Sequence, residues 1–156
     1  MKKLLSAALA LVLCLSLSWT AGARPDPVAQ EALKVGMVYI GGVEDMGYTY
    51  AHHQGALAMA ENLGLAQDQL LWEANVPEDE GCAAALEALV QEGCQLIFAT
   101  SFGFMDYVEQ AAAQYPQVVF SHCSGYKSNE TNFNNYFGRI WEARYLAGIA
   151  AGLKAK

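Results

Sequence analysis

The stretch LKVGMVYIGGVEDMGYTYAHHQGALAMAENLG, residues 33–64, decides the architecture. It opens with an apolar, β-rich run from Leu33 to Ile40, fit for a strand buried on both faces. After a loop, Tyr48 to Leu63 places Ala51, Gly55, Met59 and Leu63 four apart, which predicts one inward helical stripe closed by Gly64. The same alternation continues downstream. QLLWEANV (69–76), CQLIFAT (94–100) and QVVFSHC (117–123) read as strands. Helices are expected over 79–92, with Cys82, Leu86, Leu89 and Val90 on one face, and over 105–115, stopped before Pro116. Such alternation makes βαβ units and an α/β fold with a doubly wound parallel sheet. Ligands of these sheets sit outside the carboxyl ends of the strands, so the loops to inspect are 41–48, 75–80, 101–106 and 122–128.

The beginning of the chain carries different information. Met1-Lys2-Lys3, the apolar run Leu4 to Trp19 and the small residues Ala21-Gly22-Ala23 follow in the order of a secretory signal peptide over 1–23, with cleavage after Ala23. The apolar run is 16 residues, shorter than the roughly 20 that span a bilayer. Cys14 in LVLC offers an alternative, lipid attachment to a new N-terminal cysteine, although Leu13 is bulky for that processing site. Either way the expectation is export across the inner membrane, to the periplasm or the cell surface. A Pro-containing linker occupies 24–32.

Loss of Lys2 and Lys3 with the leader leaves seven basic residues against 16 acidic ones, a net charge of about −9. That surface repels nucleic acid and anionic lipid. Cys82, Cys94 and Cys123 remain, an odd number without metal-type spacing. Cys82 and Cys94 bracket a helix about 18 Å long, too far for one bridge, so all three are expected to pack as small apolar groups. His52 and His53 are adjacent and diverge by about 100° on a helix, which argues against a metal site. In SHCSG (121–125) neighbouring side chains alternate faces, so Ser121, His122 and Cys123 cannot form a nucleophile and base with one another. No cofactor is implied.

Between the first strand and first helix, Gly41-Gly42 and Gly47 lack the spacing of a phosphate-binding turn, and Glu44 and Asp45 would repel phosphate. Carboxylates suit hydroxyls and ring N–H groups, and Tyr48 offers a flat face for an aromatic ligand. The same residues also admit a structural role, with Asp45 capping the helix and Tyr48 packed inside. In TSFGFMD, Phe102 and Phe104 flank Gly103 and cannot both point outward; Phe102 is expected to face the ligand. Asp106 suits a helix N-terminus better than a ligand contact.

Three stretches, VYIGGVEDMGYTYAHHQG (38–55), IFATSFGFMD (97–106) and SGYKSNETNFNNYFGRIWEARYLAGIAAG (124–152), together resemble the basic membrane protein (BMP) family of ABC-transporter substrate-binding proteins, in its purine-binding branch. The resemblance implies a type I periplasmic-binding fold. Its members hold a purine nucleobase or nucleoside between two α/β lobes and pass it to ABC permease subunits in the membrane. Residue by residue, it places ligand contacts at Asp45, Tyr48 and Thr49, at Ser101, Phe102 and Asp106 around Gly103, and at Tyr126 and Lys127. The GYK and YFGR segments also bring in Gly125, Tyr136 and Arg139. Tyr48 stands where related sequences often have Trp or Phe, which keeps a stacking face and loses the indole donor.

On this pattern 33–128 is an amino-terminal Rossmann-like lobe, and 129–156 is a crossover with the start of a second, truncated lobe. The segment NYFGRIWEARYLAGIAAGLKAK reads as an extended piece and a helix with Ala143, Leu146, Ala147 and Ala150 inward, so an amino-terminal portion is expected. A sensory ligand-binding module on the same fold is the alternative. A secreted α/β hydrolase would need a Gly-x-Ser-x-Gly elbow, which the chain does not contain, and no enzymatic activity is expected.

Overall fold

The computed structural model describes residues 24–155; the signal-peptide reading and Cys14 lie outside them. Strands β1 (Val35–Tyr39), β2 (Leu70–Glu73), β3 (Leu96–Thr100), β4 (Val119–Cys123) and β5 (Phe133–Tyr136) form one parallel sheet in the order β2-β1-β3-β4-β5. Helices α1 (Tyr48–Leu63), α2 (Glu80–Gln91), α3 (Met105–Gln114) and α4 (Ile140–Lys154) alternate with the strands. The α/β, doubly wound parallel sheet is thus present, and the order reverses between β1 and β3, where such sheets open a ligand crevice.

Strand β1 shows why the sheet is covered on both faces. All five of its residues are buried. Val35, Met37 and Tyr39 pack toward α1, whereas Val38 joins Leu86 and Leu89 of α2 and Val108 of α3 on the opposite face. That second face holds the larger core, with Phe104 and Phe120 fully buried. The expected α2 face is buried at Cys82, Leu86 and Leu89, while Val90 is half-buried against it. Cys82 and Cys94 belong to this core, and Cys82, Cys94 and Cys123 are free thiols.

Two expected helix faces need correction. In α1 the buried residues are Thr49, His53 and Ala56, while Ala51, Gly55 and Leu63 are exposed and Met59 is half-buried. The rotation is set by an aromatic lock. His53 lies edge-on to both Tyr39 and Trp72, at ring distances of 5.8 and 4.8 Å. Gly64 closes α1 as expected, in the left-handed conformation at φ 64° that glycine adopts without a Cβ penalty. In α4 Ala143, Leu146, Ala147 and Ala150 are exposed, not inward, and the helix contains no buried residue. No described element packs over its apolar side chains, so Trp141, Tyr145 and Leu146 stay open to solvent.

The extended segment expected in the crossover is β5, paired in parallel register from Phe120 opposite Phe133 to Cys123 opposite Tyr136. The connection from β4, residues 124–132, contains no helix, and Asn132 organises its end. Buried at 3% exposure, the Asn132 amide donates to the carbonyl of Ala112, which the end of α3 would leave open, and to that of Val118 just before β4, both at 2.9 Å.

Candidate functional site

The carboxyl ends of β1, β3, β4 and β5 converge on one edge, and there the structure separates the candidate residues into two groups. Around the first loop, Asp45 turns its carboxylate onto the start of α1. Its oxygens accept from the backbone N–H groups of Gly47 and Tyr50 at 2.8 Å and of Thr49 at 3.0 Å. The Tyr50 and Gly47 donors hold the carboxyl below its ordinary range. Asp45 therefore caps the helix, the structural role that the sequence left open. Thr49 is 1% exposed beneath that start, and its hydroxyl has no hydrogen-bond partner among the described residues.

Tyr48 is half-exposed, with 44% of its surface open and its hydroxyl end covered. Its hydroxyl donates toward Cys123 Sγ at 3.6 Å and lies 3.3 Å from Ser124 Oγ, and burial pushes the phenol up to about 12. His52, one turn along α1, packs its ring 4.4 Å from that of Tyr48. Together with Cys123, Ser124 and Tyr136 these residues line a cavity of about 870 Å³, completed by Arg144 and small residues of α4. Of the eight predicted contacts, Tyr48 alone lines it.

The second group gathers after β3. Ser101 Oγ donates to Glu78 Oε1 at 2.5 Å, and the Gly103 N–H donates to the same oxygen at 2.8 Å. This ties the turn at Phe102–Phe104 to the loop after β2. Phe102 is 57% exposed and Phe104 is fully buried, the expected outcome, but the division comes from the 3-10 turn at Phe102–Phe104 and not from a continued strand, on which residues two apart would share a face. Tyr126, also exposed, places its ring 6.4 Å from that of Phe102. Lys127 Nζ lies 2.9 Å from Asp106 and 2.6 Å from Glu109, and these carboxylates, Glu109 first, raise its pKa. Asp106 and Lys127 are thus paired with each other on the flank of α3.

Sequence reasoning weighed His52 as a metal ligand and Cys123 as a nucleophile and set both aside, and it did not single out Ser124 or Glu78. Glu78 lies in a loop the sheet topology had marked, but nothing in NVPEDE distinguished it from Glu80. Cys123 and Ser124 stand at the carboxyl end of a predicted strand, and that position was the signal available. Among the described residues no three His, Cys, Asp or Glu side chains gather as a metal site, and no helix is long and apolar enough to cross a membrane.

An open cavity at the carboxyl edge of a doubly wound parallel sheet, headed by a presented aromatic, is the arrangement of an α/β solute-binding lobe. The chain belongs to the Bmp family, ABC transporter substrate-binding protein PnrA-like, whose model matches residues 32–156. It is 38% identical over 128 residues to a purine-binding protein of Brucella abortus, covering 82% of this chain and 36% of that relative. It is 36% identical over 127 residues to a provisionally named ABC transporter glucose-binding protein of Haloferax volcanii, covering 81% and 32%. The chain therefore spans about a third of the length of these curated relatives. An ABC transporter solute-binding protein of Conexibacter woesei shares the fold, with a TM-score of 0.60 at 17% identity over 77% of this chain and 40% of that one.

Proposed function

We propose that this chain forms the amino-terminal lobe of an extracytoplasmic solute-binding protein that delivers a purine nucleobase or nucleoside to ABC permease subunits. The observation that carries the reading is Tyr48, half-exposed at the start of α1 and lining a cavity of about 870 Å³. Small-molecule clefts fall in the range of roughly 300–1,000 Å³, and a flat ring stacked on a phenol needs such a wall. Phe102 and Tyr126, whose rings are neighbours, supply a second exposed aromatic surface on the same edge. The Brucella relative's name supports the purine.

In this reading residues 1–23 export the protein, and residues 129–156 lead to a second lobe that closes over the ligand. Closure works by differential affinity: a ligand touching both lobes shifts the open–closed equilibrium toward the closed form. No bond is made or broken.

The Haloferax relative favours a sugar as the second reading, since a phenol face also packs against a pyranose. Calorimetric titration separates the two. The exported protein, with whatever its gene encodes beyond Lys156, is titrated with adenine, guanine, their nucleosides and glucose. Saturable heat with one purine and none with glucose is expected. Heat with glucose alone transfers the site to sugars, and heat with none of them overturns the solute class.

A further inference from the structure

The cavity also holds a nucleophile for which solute binding has no use. Cys123 ends β4 with its sulfur 3.6 Å from the Tyr48 hydroxyl and 3.5 Å from Ser124 Oγ, and it lines the cavity together with His52. His52 is oriented by a third group. Its Nδ1 lies 2.9 Å from the carbonyl oxygen of Tyr48, one turn earlier in α1. A carbonyl can only accept, so Nδ1 carries the proton and the neutral ring keeps its lone pair on Nε2. A cysteine, a base and a group that fixes the base's tautomer form the arrangement that activates a nucleophile.

We propose that Cys123, with His52 as its base, is a reactive thiol site that small disulfides entering the cavity convert to a mixed disulfide. The Cys123 proton passes to His52 Nε2. The thiolate then attacks one sulfur of the small disulfide; a new S–S bond forms, the original S–S bond breaks, and the other half leaves as a thiolate. Cys123 is oxidised and the small disulfide reduced, so no further oxidant is needed.

All three described cysteines are buried, Cys123 at 6% exposure, so Cys82 and Cys94 are built-in controls for the polar groups and the cavity around Cys123. Burial in the apolar core pushes Cys82 up to about 12 and Cys94 up to about 11. Burial also acts upward on Cys123, but the contacts with His52, Ser124 and Tyr48 outweigh it and bring the thiol down to about 7. The same contact with Cys123 raises His52. Tyr48 and His52 face the sulfur from α1, Ser124 from the end of β4 and Tyr136 from β5, and Arg144 of α4 lines the same cavity.

The test treats the protein with 2-hydroxyethyl disulfide and maps the adduct by peptide mass, with Cys14 followed on its own peptide. Adduct is expected at Cys123, with Cys82 and Cys94 unmodified in the native state. The rate should rise with a pH midpoint near 7, below the ordinary thiol value of about 8.5. In His52→Gln the rate at pH 7 should fall about tenfold, with a higher midpoint and unchanged near-ultraviolet dichroism. An unmodified Cys123, a Cys123 no faster than Cys82 and Cys94, or a His52→Gln profile that overlays the wild type overturns the proposal. Should His52→Gln fail to fold, the wild-type pH profile decides: a midpoint at the ordinary thiol value overturns it.

Discussion

The hydroxyl of Ser101 donates to Glu78 Oε1 at 2.5 Å, joining the loop after β3 to the loop after β2 over the end of the intervening β1. The same oxygen holds the Gly103 N–H at 2.8 Å, so one carboxylate fixes both sides of Phe102. There is no space for a side chain in that corner, because a Cβ on Gly103 would lie 2.4 Å from the Glu78 carboxyl carbon.

Glu78→Ala should therefore release the Phe102 turn. The expected cost is about 1 kcal/mol in urea unfolding, since two partly exposed hydrogen bonds are lost. Solute affinity should fall more than stability does. Glu78→Gln keeps an acceptor at the same position and should recover most of both. Equal loss of affinity in Ala and Gln would mean that the charge itself, not the positioning of the turn, matters.

Phe102 and Phe104 offer a pair of opposite outcomes. Phe104 is fully buried in the larger core, and Phe104→Ala should cost about 3–5 kcal/mol, a large part of a domain's roughly 5–15 kcal/mol. Phe102 is 57% exposed, and Phe102→Ala should change stability by less than about 0.5 kcal/mol while weakening solute binding. Denaturant titration and calorimetry on the two variants check both halves. A Phe102→Ala protein that binds like the wild type removes this residue from the site.

Asp45 makes an acid-range expectation. The N–H donors of Tyr50 and Gly47 lower its pKa in the folded state, so its contribution is present above the unfolded carboxyl value of about 3.9 and is lost as pH falls through the folded value. Asp45→Asn should thus be less stable than the wild type at pH 7, and the gap should close below about pH 4. Thermal melts of both proteins across that range measure it. A gap that stays constant to pH 2 would show that the cap does not depend on charge.

The sheet was legible because β1 and β3 are written as apolar, β-rich runs and β4 is entered on one, Val118 to Phe120, and such runs admit one reading in an alternating chain. The rotation of α1 was not. Its period allows more than one stripe, and the choice fell to His53, whose ring fits between Tyr39 and Trp72 although hydropathy sets it outside. Adjacency did predict that His52 and His53 diverge, and they do: one lines the cavity and the other packs on β1. At the carboxyl edge, the exposed placement of Tyr48 and Phe102 followed from the rule that loops at strand ends face the crevice, although of the two only Tyr48 lines the cavity. Glu78 and Cys123 did not, because each acquires its role from a partner more than 20 residues away: Ser101 for one, Tyr48 for the other.

The buried His122 gives a second and separate pH window. Its Nε2 lies 2.6 Å from the Ser101 carbonyl oxygen, tying β4 to the turn that carries Phe102, and Asn135 stands 3.4 Å from its Nδ1. Burial lowers its pKa, and the Ser101 bond only partly opposes this, so the folded protein keeps the ring neutral where the unfolded chain would protonate it. The unfolded state then binds more protons between the folded value and about 6.5, and stability must rise with pH across that interval. Acidification below about pH 6.5 should therefore destabilise the wild type well before Asp45 titrates, whereas His52, whose folded pKa is raised, acts in the opposite sense above that value. His122→Gln places an amide donor near the Ser101 carbonyl without a titrating ring; it should be less stable at pH 7 and lose the pH dependence near 6. Urea midpoints at pH 7, 6 and 5 decide between this and a wild type whose stability is flat across the interval.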